Sequence, residues 1–405
     1  MVSGKERVEQ WFASGKSMKP RSYKYGWVDF ARAIASHCGV ENLELSEAAK
    51  DLQEAHLSGS EHVVLILVDG LGMSQLAKMS ESSFLRRNCV GKMQSIFPAS
   101  TAPAITTLVT ADYPNKHAIT SWWIRLAEHD LIAEVLPFWE RFSHKPLEEY
   151  GSCAEDVFPV ASRFKDFKAK PRTVTCAQYV ETAFSRYARS YTSGVGYGDF
   201  KSGVEQVVNH VNERMNEGDD SSFTYWYLPQ YDKHCHEEGI NNEKAWSILR
   251  EIDEAIAHLS KQLAGKARII VTADHGQVDV PREKSAIMEE GSPILDCLTS
   301  LPSGEPSMPV FHVQEGREEE FAHLFQKDYG HIFTLLTVDE ISQLELFGPG
   351  KLSEMAKDRL GTFVALSNEP AAMLLKRNGG SVFHFAGIHG GMSEEEMIIP
   401  LVVVG

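Results

Sequence analysis

In the stretch YDKHCHEEG, Asp232 and His236 set a carboxylate and an imidazole four positions apart. On a helix that spacing turns both to one side, where they can close on a single cation. His234 would replace His236 if the segment were extended, and Cys235 is either a soft ligand or a small packing side chain. Lys233, between the ligand-type residues, can reach a substrate anion. In VTADHG, Asp274 and His275 are adjacent, and neighbours reach one metal only on a turn, which Gly276 allows. Asp69 ends an apolar run at VDG, and His389 lies in GIHGGM, where flanking glycines let an imidazole approach a metal closely. Thr101, in FPASTAPAITTLVT, precedes Pro103, a residue suited to a first helical turn. Its hydroxyl is therefore expected at a helix N-terminus, where anionic phosphate is favoured. Taken one at a time, these residues have plainer readings: a solvated loop, a surface turn, or a helix cap by Ser100 or Thr101.

The elements that must carry them are legible from hydrophobic pattern. HVVLILVDGLG, from His62, is a nearly continuous β-branched run, the signature of a strand buried on both faces of a parallel sheet. SSFTYWYLPQYD and ARIIVTADHG repeat the arrangement, each an apolar strand leading to Asp232 or to Asp274-His275. Ligands of open α/β sheets bind outside the carboxyl ends of strands, so three such ends point to one shared site. VEQVVNHVNERMNEG and NNEKAWSILREIDEAIAHLSKQLAG have apolar residues at helical spacing and are expected to cover the sheet. The expected fold is α/β, a central mostly parallel β-sheet flanked by helices with a smaller inserted cap. Residues 1–60 read as a helical layer packing on the core, 61–280 and 381–405 as the catalytic core, and the Pro-, Gly- and acid-rich 281–380 as the cap.

Composition narrows the function. A chain of 405 residues with 43% hydrophobic positions can bury a large core, and its net charge of −16 argues against a general nucleic-acid binder. No run approaches the roughly 18–20 apolar residues that span a bilayer, and the N-terminus lacks the apolar core of a secretion signal, so a cytoplasmic protein without membrane association is expected. The six cysteines form no CxxC pair, and free thiols are the expectation.

The order Asp69, Thr101, Asp232, His236, Asp274, His275, His389, with its local contexts, resembles the alkaline phosphatase superfamily, and within it the nucleotide pyrophosphatase/phosphodiesterase branch. The contexts are an apolar strand ending in Asp-Gly, Phe97-Pro98-Ala99-Ser100-Thr101-Ala102-Pro103, Tyr113-Pro114-Asn115-Lys116-His117, Asp232 to Gly239, Thr272 to Gly276, and His389-Gly390 before a closing strand. The resemblance implies a hydrolase of phosphodiester or pyrophosphate bonds in small molecules of nucleotide or related type. Asp69, Asp274 and His275 would hold one metal beside the nucleophile Thr101, and Asp232, His236 and His389 a second. The reaction would pass through a phosphothreonine. Two zinc ions are expected, with manganese, iron or cobalt compatible with the same donors. The branch commonly carries an Asn after the nucleophile that holds a phosphate oxygen, whereas this chain has Ser121, Trp122 and Trp123 in that region. The two tryptophans are candidates either for a stacking or cation-binding surface or for ordinary core packing, and Lys233 and Arg125 either for substrate contacts or for solvated side chains. Phosphonate hydrolysis and phosphomonoester hydrolysis are the alternatives within the superfamily, and a catalytically dead binding protein is the alternative outside enzymes. The Cys-x-Pro-x-Arg segment of sulfatases is absent around residue 101. Oligomeric state is left open by the sequence.

Overall fold

The computed structural model describes residues 3–377, 379–380 and 382–405. Its centre is a seven-stranded sheet in the order Cys89–Gln94, Ile398–Val404, Arg268–Thr272, His62–Val68, Ser222–Leu228, Lys170–Cys176, Ser193–Tyr197. The five strands from Arg268–Thr272 to Ser193–Tyr197 pair in parallel, and the C-terminal strand Ile398–Val404 runs antiparallel to both of its neighbours. This is the mostly parallel α/β sheet that the apolar runs predict. Every residue of His62–Val68 is buried, as expected of a strand covered on both faces.

Alternation along Ser222–Leu228 shows how the two faces are used. Trp226 points to the face covered by the helix Phe200–Asn216, so closely that a Cβ at Gly203 would lie 2.6 Å from its ring. Tyr225 and Tyr227 point to the other face, where they line a cavity with Ile105 of the helix Thr101–Thr110. That helix is buried along its whole length. Its threonines are tolerated because Thr106 and Thr110 donate to carbonyls one turn back, each at 2.7 Å, and Thr107 meets His117 Nε2 at 3.0 Å. His117 is thus an internal anchor. From outside, Trp27 of the helix Trp27–His37 donates its indole N–H to Ala104 O at 2.7 Å and holds the helix in place.

A second, antiparallel seven-stranded sheet runs Thr334–Thr337, Phe363–Leu366, Pro309–Phe311, Ser303–Gly304, Trp123–Leu126, Leu131–Glu134, Trp139–Glu140. The segment drawn as a cap, 281–380, therefore shares its sheet with Trp123–Glu140, joined by the pairing of Gly304 with Trp123. Residue 381, where the core was expected to resume, lies outside the described residues. The N-terminal helices divide between the two lobes. Trp27–His37 packs on the helix Thr101–Thr110 and Glu47–His56 packs on Trp27–His37, whereas Gly4–Ser14 buries Val8 and Trp11 among Leu336, Ile341 and Leu344 of the second lobe. All six cysteines are free thiols, and no helix among the described residues is long and apolar enough to cross a membrane.

Candidate active site

Each ligand-type residue stands at the same edge of the central sheet. Asp69 follows the strand His62–Val68, Asp274 and His275 follow Arg268–Thr272, and Asp232 and His236 lie on the helix Gln230–Glu238 that starts just after Ser222–Leu228. His389 directly follows the short strand Gly387–Ile388 and precedes, across the helix Glu394–Met397, the C-terminal strand, whose reversed direction brings its start to this edge. Thr101 is the first residue of its helix, with Ser100 at the cap position, where the Ser100 side chain makes no capping bond. The rival assignment of Ser100 as a side-chain cap is therefore not what the structure contains.

Two groups of donors form, each with ligand atoms within 4.8 Å of one another: Asp232, His236 and His389, and Asp69, Asp232 and His275. His236 Nε2 is 3.4 Å from Asp232 Oδ2, and His389 Nε2 is 3.7 Å from Asp232 Oδ1 and 3.2 Å from His236 Nε2. His275 Nε2 is 3.4 Å from Asp69 Oδ1, 3.5 Å from Asp274 Oδ2 and 3.0 Å from Thr101 Oγ1. Asp232 thus stands between the groups rather than in one alone, and Asp274 joins the second group through His275. His234 turns away and pairs with Asn242 Oδ1 at 3.0 Å, because the segment is helical and not extended.

The donor chemistry fits divalent cations on two counts. Each imidazole has its Nδ1 on a backbone carbonyl: His236 on Gly387 O at 2.9 Å, His275 on Gly276 O at 3.0 Å, His389 on Ala99 O at 3.1 Å. Those carbonyls assign the proton to Nδ1 and leave three Nε2 lone pairs facing the carboxylates, the arrangement that metal-binding histidines adopt. Moreover, Asp69 Oδ1 and Asp274 Oδ2 are buried and accept no hydrogen bond, which is costly unless a cation satisfies them.

The electrostatics agree. Burial and the nearby charges of Asp232 and Asp274 push the Asp69 carboxyl well above its usual range, and burial raises Asp274 despite His275 beside it. Burial would also raise Asp232, but the imidazoles of His236, His389 and His275 hold it below the ordinary carboxylate range. His389 is lowered by burial and by its neighbour His275, whose ring stacks on it at 3.7 Å.

Several supporting residues gave no signal in the sequence. The Tyr227 hydroxyl donates to Asp69 Oδ2 and Gln277 Nε2 donates to Asp232 Oδ1. Gly276 matters for space rather than for a left-handed backbone: a Cβ there would lie 2.0 Å from Glu395 O and 2.8 Å from Gly72 Cα. The most consequential unforeseen residue is Glu305, a buried carboxyl delivered by a hairpin of the second sheet. Tyr227's proximity to Asp69 follows from strand register, since Leu67 pairs with Tyr227, but only once the pairing is known.

These groups open onto a cavity of about 450 Å³. Trp122, Trp123 and Lys233 line it, together with Phe184, Tyr227 and Phe385. One face of Trp123 is already covered by the Arg141 guanidinium at 3.7 Å, and its indole N–H donates to Glu134 at 3.0 Å. Arg125 does not line the cavity; it faces Asp130 at 3.5 Å instead.

The sequence profile of the type I phosphodiesterase / nucleotide pyrophosphatase family matches residues 63–392. Among solved structures, the chain is similar to murine ectonucleotide pyrophosphatase / phosphodiesterase 5, with a TM-score of 0.63, 17% identity, and coverage of 85% of this chain and 88% of that one. An inactive variant of the murine protein in complex with AMP matches at a TM-score of 0.62 and 16% identity, covering 85% and 87%. The human counterpart gives a TM-score of 0.64 at 15% identity, again covering 85% and 87%. No curated protein matches the chain by sequence.

Proposed function

The chain belongs to the type I phosphodiesterase / nucleotide pyrophosphatase family, metal-dependent hydrolases, and from that premise we propose that it cleaves small phosphodiesters or pyrophosphates with two bound metal ions and Thr101 as nucleophile. The observation that carries this reading is the gathering of three buried carboxylates and three Nε2 lone pairs in one site, with His275 Nε2 3.0 Å from the hydroxyl of Thr101 at a helix N-terminus. Asp69, Asp274 and His275 would hold one ion and Asp232, His236 and His389 the other, with Asp232 near enough to serve both. Zinc suits this mixed donor set. When bound, such cations would offset the carboxylates, acidify the Thr101 hydroxyl and neutralise charge gathering on the phosphoryl oxygens.

The chain's own residues do the rest. Thr101 Oγ1 gives its proton to solvent water and attacks phosphorus; the Oγ1–P bond forms as the bond from phosphorus to the departing oxygen breaks, giving a phosphothreonine, and the departing oxygen takes a proton back from solvent. Water then attacks phosphorus, Thr101 Oγ1 leaves and regains its proton, and two displacements retain configuration. The N–H groups of the first helical turn face the anion. The fixed Nδ1 contacts keep the imidazoles from reorienting, and the aromatic walls limit water around the reacting group. A nucleotide-type substrate is supported by the AMP complex of the murine relative.

The test is kcat/KM of the zinc-loaded protein for a chromogenic phosphodiester, the matching monoester and a nucleotide phenyl ester, with Thr101→Ala as control. The expected result is turnover of the diester and nucleotide ester that Thr101→Ala reduces at least ~10³-fold, with metal content unchanged. Full activity in Thr101→Ala would end the nucleophile assignment. Inactivity on all three esters would point to a phosphonate or to a binding protein on the same fold.

A further inference from the structure

Glu305 occupies the tip of a tight hairpin between the strands Ser303–Gly304 and Pro309–Phe311. Its own N–H and C=O close the turn with Met308 at 3.0 and 3.1 Å. The hairpin is wedged against the catalytic loop. Ser307 donates to His389 O at 2.7 Å, and Gly390, at φ +100°, has so little room that a Cβ would meet Ser307 Oγ at 2.5 Å and Glu305 Cγ at 3.3 Å. On the other side, Glu305 Oε1 accepts the Trp122 N–H at 2.7 Å. The carboxyl lines the same cavity as Thr101, Asp232, His236 and His389, yet is only 3% exposed.

A carboxyl met only by the Trp122 N–H and the neighbouring Ser100 hydroxyl is a poor structural element at that depth, because its desolvation outweighs such contacts. Its surroundings add negative rather than positive charge: Glu134 and Glu237 also line the cavity, and Lys233 is the only lysine or arginine among the lining residues described. A phosphomonoester brings a second negative charge that this wall does not neutralise. A diester brings one.

We propose that Glu305 is a specificity-determining residue that faces the phosphoryl group and favours singly charged phosphodiesters over doubly charged monoesters. The inference rests on the phosphoryl group lying beside Thr101, as in the function proposed above. It also accounts for the Ser121-Trp122-Trp123 segment: the Trp122 backbone N–H orients a carboxyl supplied from the second sheet.

The test is the ratio of kcat/KM for a chromogenic diester and its monoester in wild type, Glu305→Gln and Glu305→Ala, with inorganic phosphate as a competitive inhibitor and metal content measured throughout. Glu305→Gln keeps an acceptor for Trp122 N–H while removing the acid. The diester-to-monoester ratio is expected to fall about tenfold or more in both variants, and phosphate to inhibit about tenfold more tightly, given the strength of a nearby like charge at intermediate dielectric. Glu305→Ala is expected to lose rate on both substrates as well, since Trp122 N–H loses its partner. An unchanged ratio with unchanged phosphate inhibition in Glu305→Gln overturns the inference while leaving Thr101-dependent diesterase activity intact. A parallel loss on both esters assigns Glu305 a purely structural role and overturns it too. Loss of the Thr101 dependence would instead remove the function on which it rests.

Discussion

Asp69→Asn should stabilise the metal-free protein and destabilise the metal-loaded one. Asp69 Oδ1 has no hydrogen-bond partner, and its group-mates Asp232 and His275 present ligand atoms within 4.8 Å. At an effective dielectric near 20, two carboxylates at that separation repel by about 3.5 kcal/mol. The asparagine keeps an oxygen for the Tyr227 hydroxyl and turns an N–H₂ toward the orphaned Asp274 Oδ2. For a chain of this length, relief of about 3 kcal/mol corresponds to a Tm rise of about 3–4 °C in chelator at pH 8. The pH dependence follows by linkage. The folded-state pKa of Asp69 is raised, so between the unfolded and folded values the folded protein holds the extra proton and stability falls as pH rises. The penalty is absent below the ordinary carboxylate range, grows as pH rises through it, and levels off above the raised folded value. The advantage of Asp69→Asn should therefore vanish near pH 4 and be largest at alkaline pH. Zinc at ~1,000 times its Kd should stabilise the wild type by about 4 kcal/mol, and the variant by clearly less. The assay is thermal unfolding in chelator and in zinc across pH. A lower Tm for Asp69→Asn in chelator at pH 8 would refute the reasoning, because Asp69 would then be a structural acceptor rather than a carboxylate awaiting a cation.

Three further outcomes are expected. Tyr227→Phe removes the donor to Asp69 Oδ2, and kcat/KM or metal affinity should fall about 10- to 100-fold, as for other residues that orient ligands; a change below twofold in both would count against that role. Gly276→Ala drives a methyl to within 2.0 Å of Glu395 O, so His275 must shift, and activity should drop at least ~10²-fold while circular dichroism shows a folded protein; a fully active variant would show that the turn yields without cost. Trp123→Ala removes an aromatic wall held by Arg141, and KM for aromatic or quaternary-ammonium esters should rise more than for small alkyl esters, by about 1 kcal/mol of binding; equal changes would mean that Trp123 serves packing alone.

Local pattern determined a large part of this protein. The uninterrupted β-branched runs, the four-residue spacing of Asp232 and His236, and Pro103 just inside a helix start are short-range signals. The structure places the buried strands, the helix Gln230–Glu238 and the N-terminus of Thr101–Thr110 where those signals put them. The sequence also supplied every residue in the two donor groups: Asp69, Asp232, His236 and His275 follow strand ends of a parallel sheet, which lie side by side whatever the intervening loops do, and His389 stood out by its glycine-flanked loop and the family resemblance. The tertiary structure alone decided what depends on chain segments meeting from afar. Trp123–Glu140 joined a sheet built otherwise from the segment drawn as the cap, and a hairpin tip carried Glu305 into the cavity. Tyr227 and Gln277 became supports of Asp69 and Asp232, and Asp232 came to stand between two donor groups. Periodicity specifies which face of an element is apolar. Which foreign side chain that face meets is set by register and lobe packing, which no local window of sequence contains.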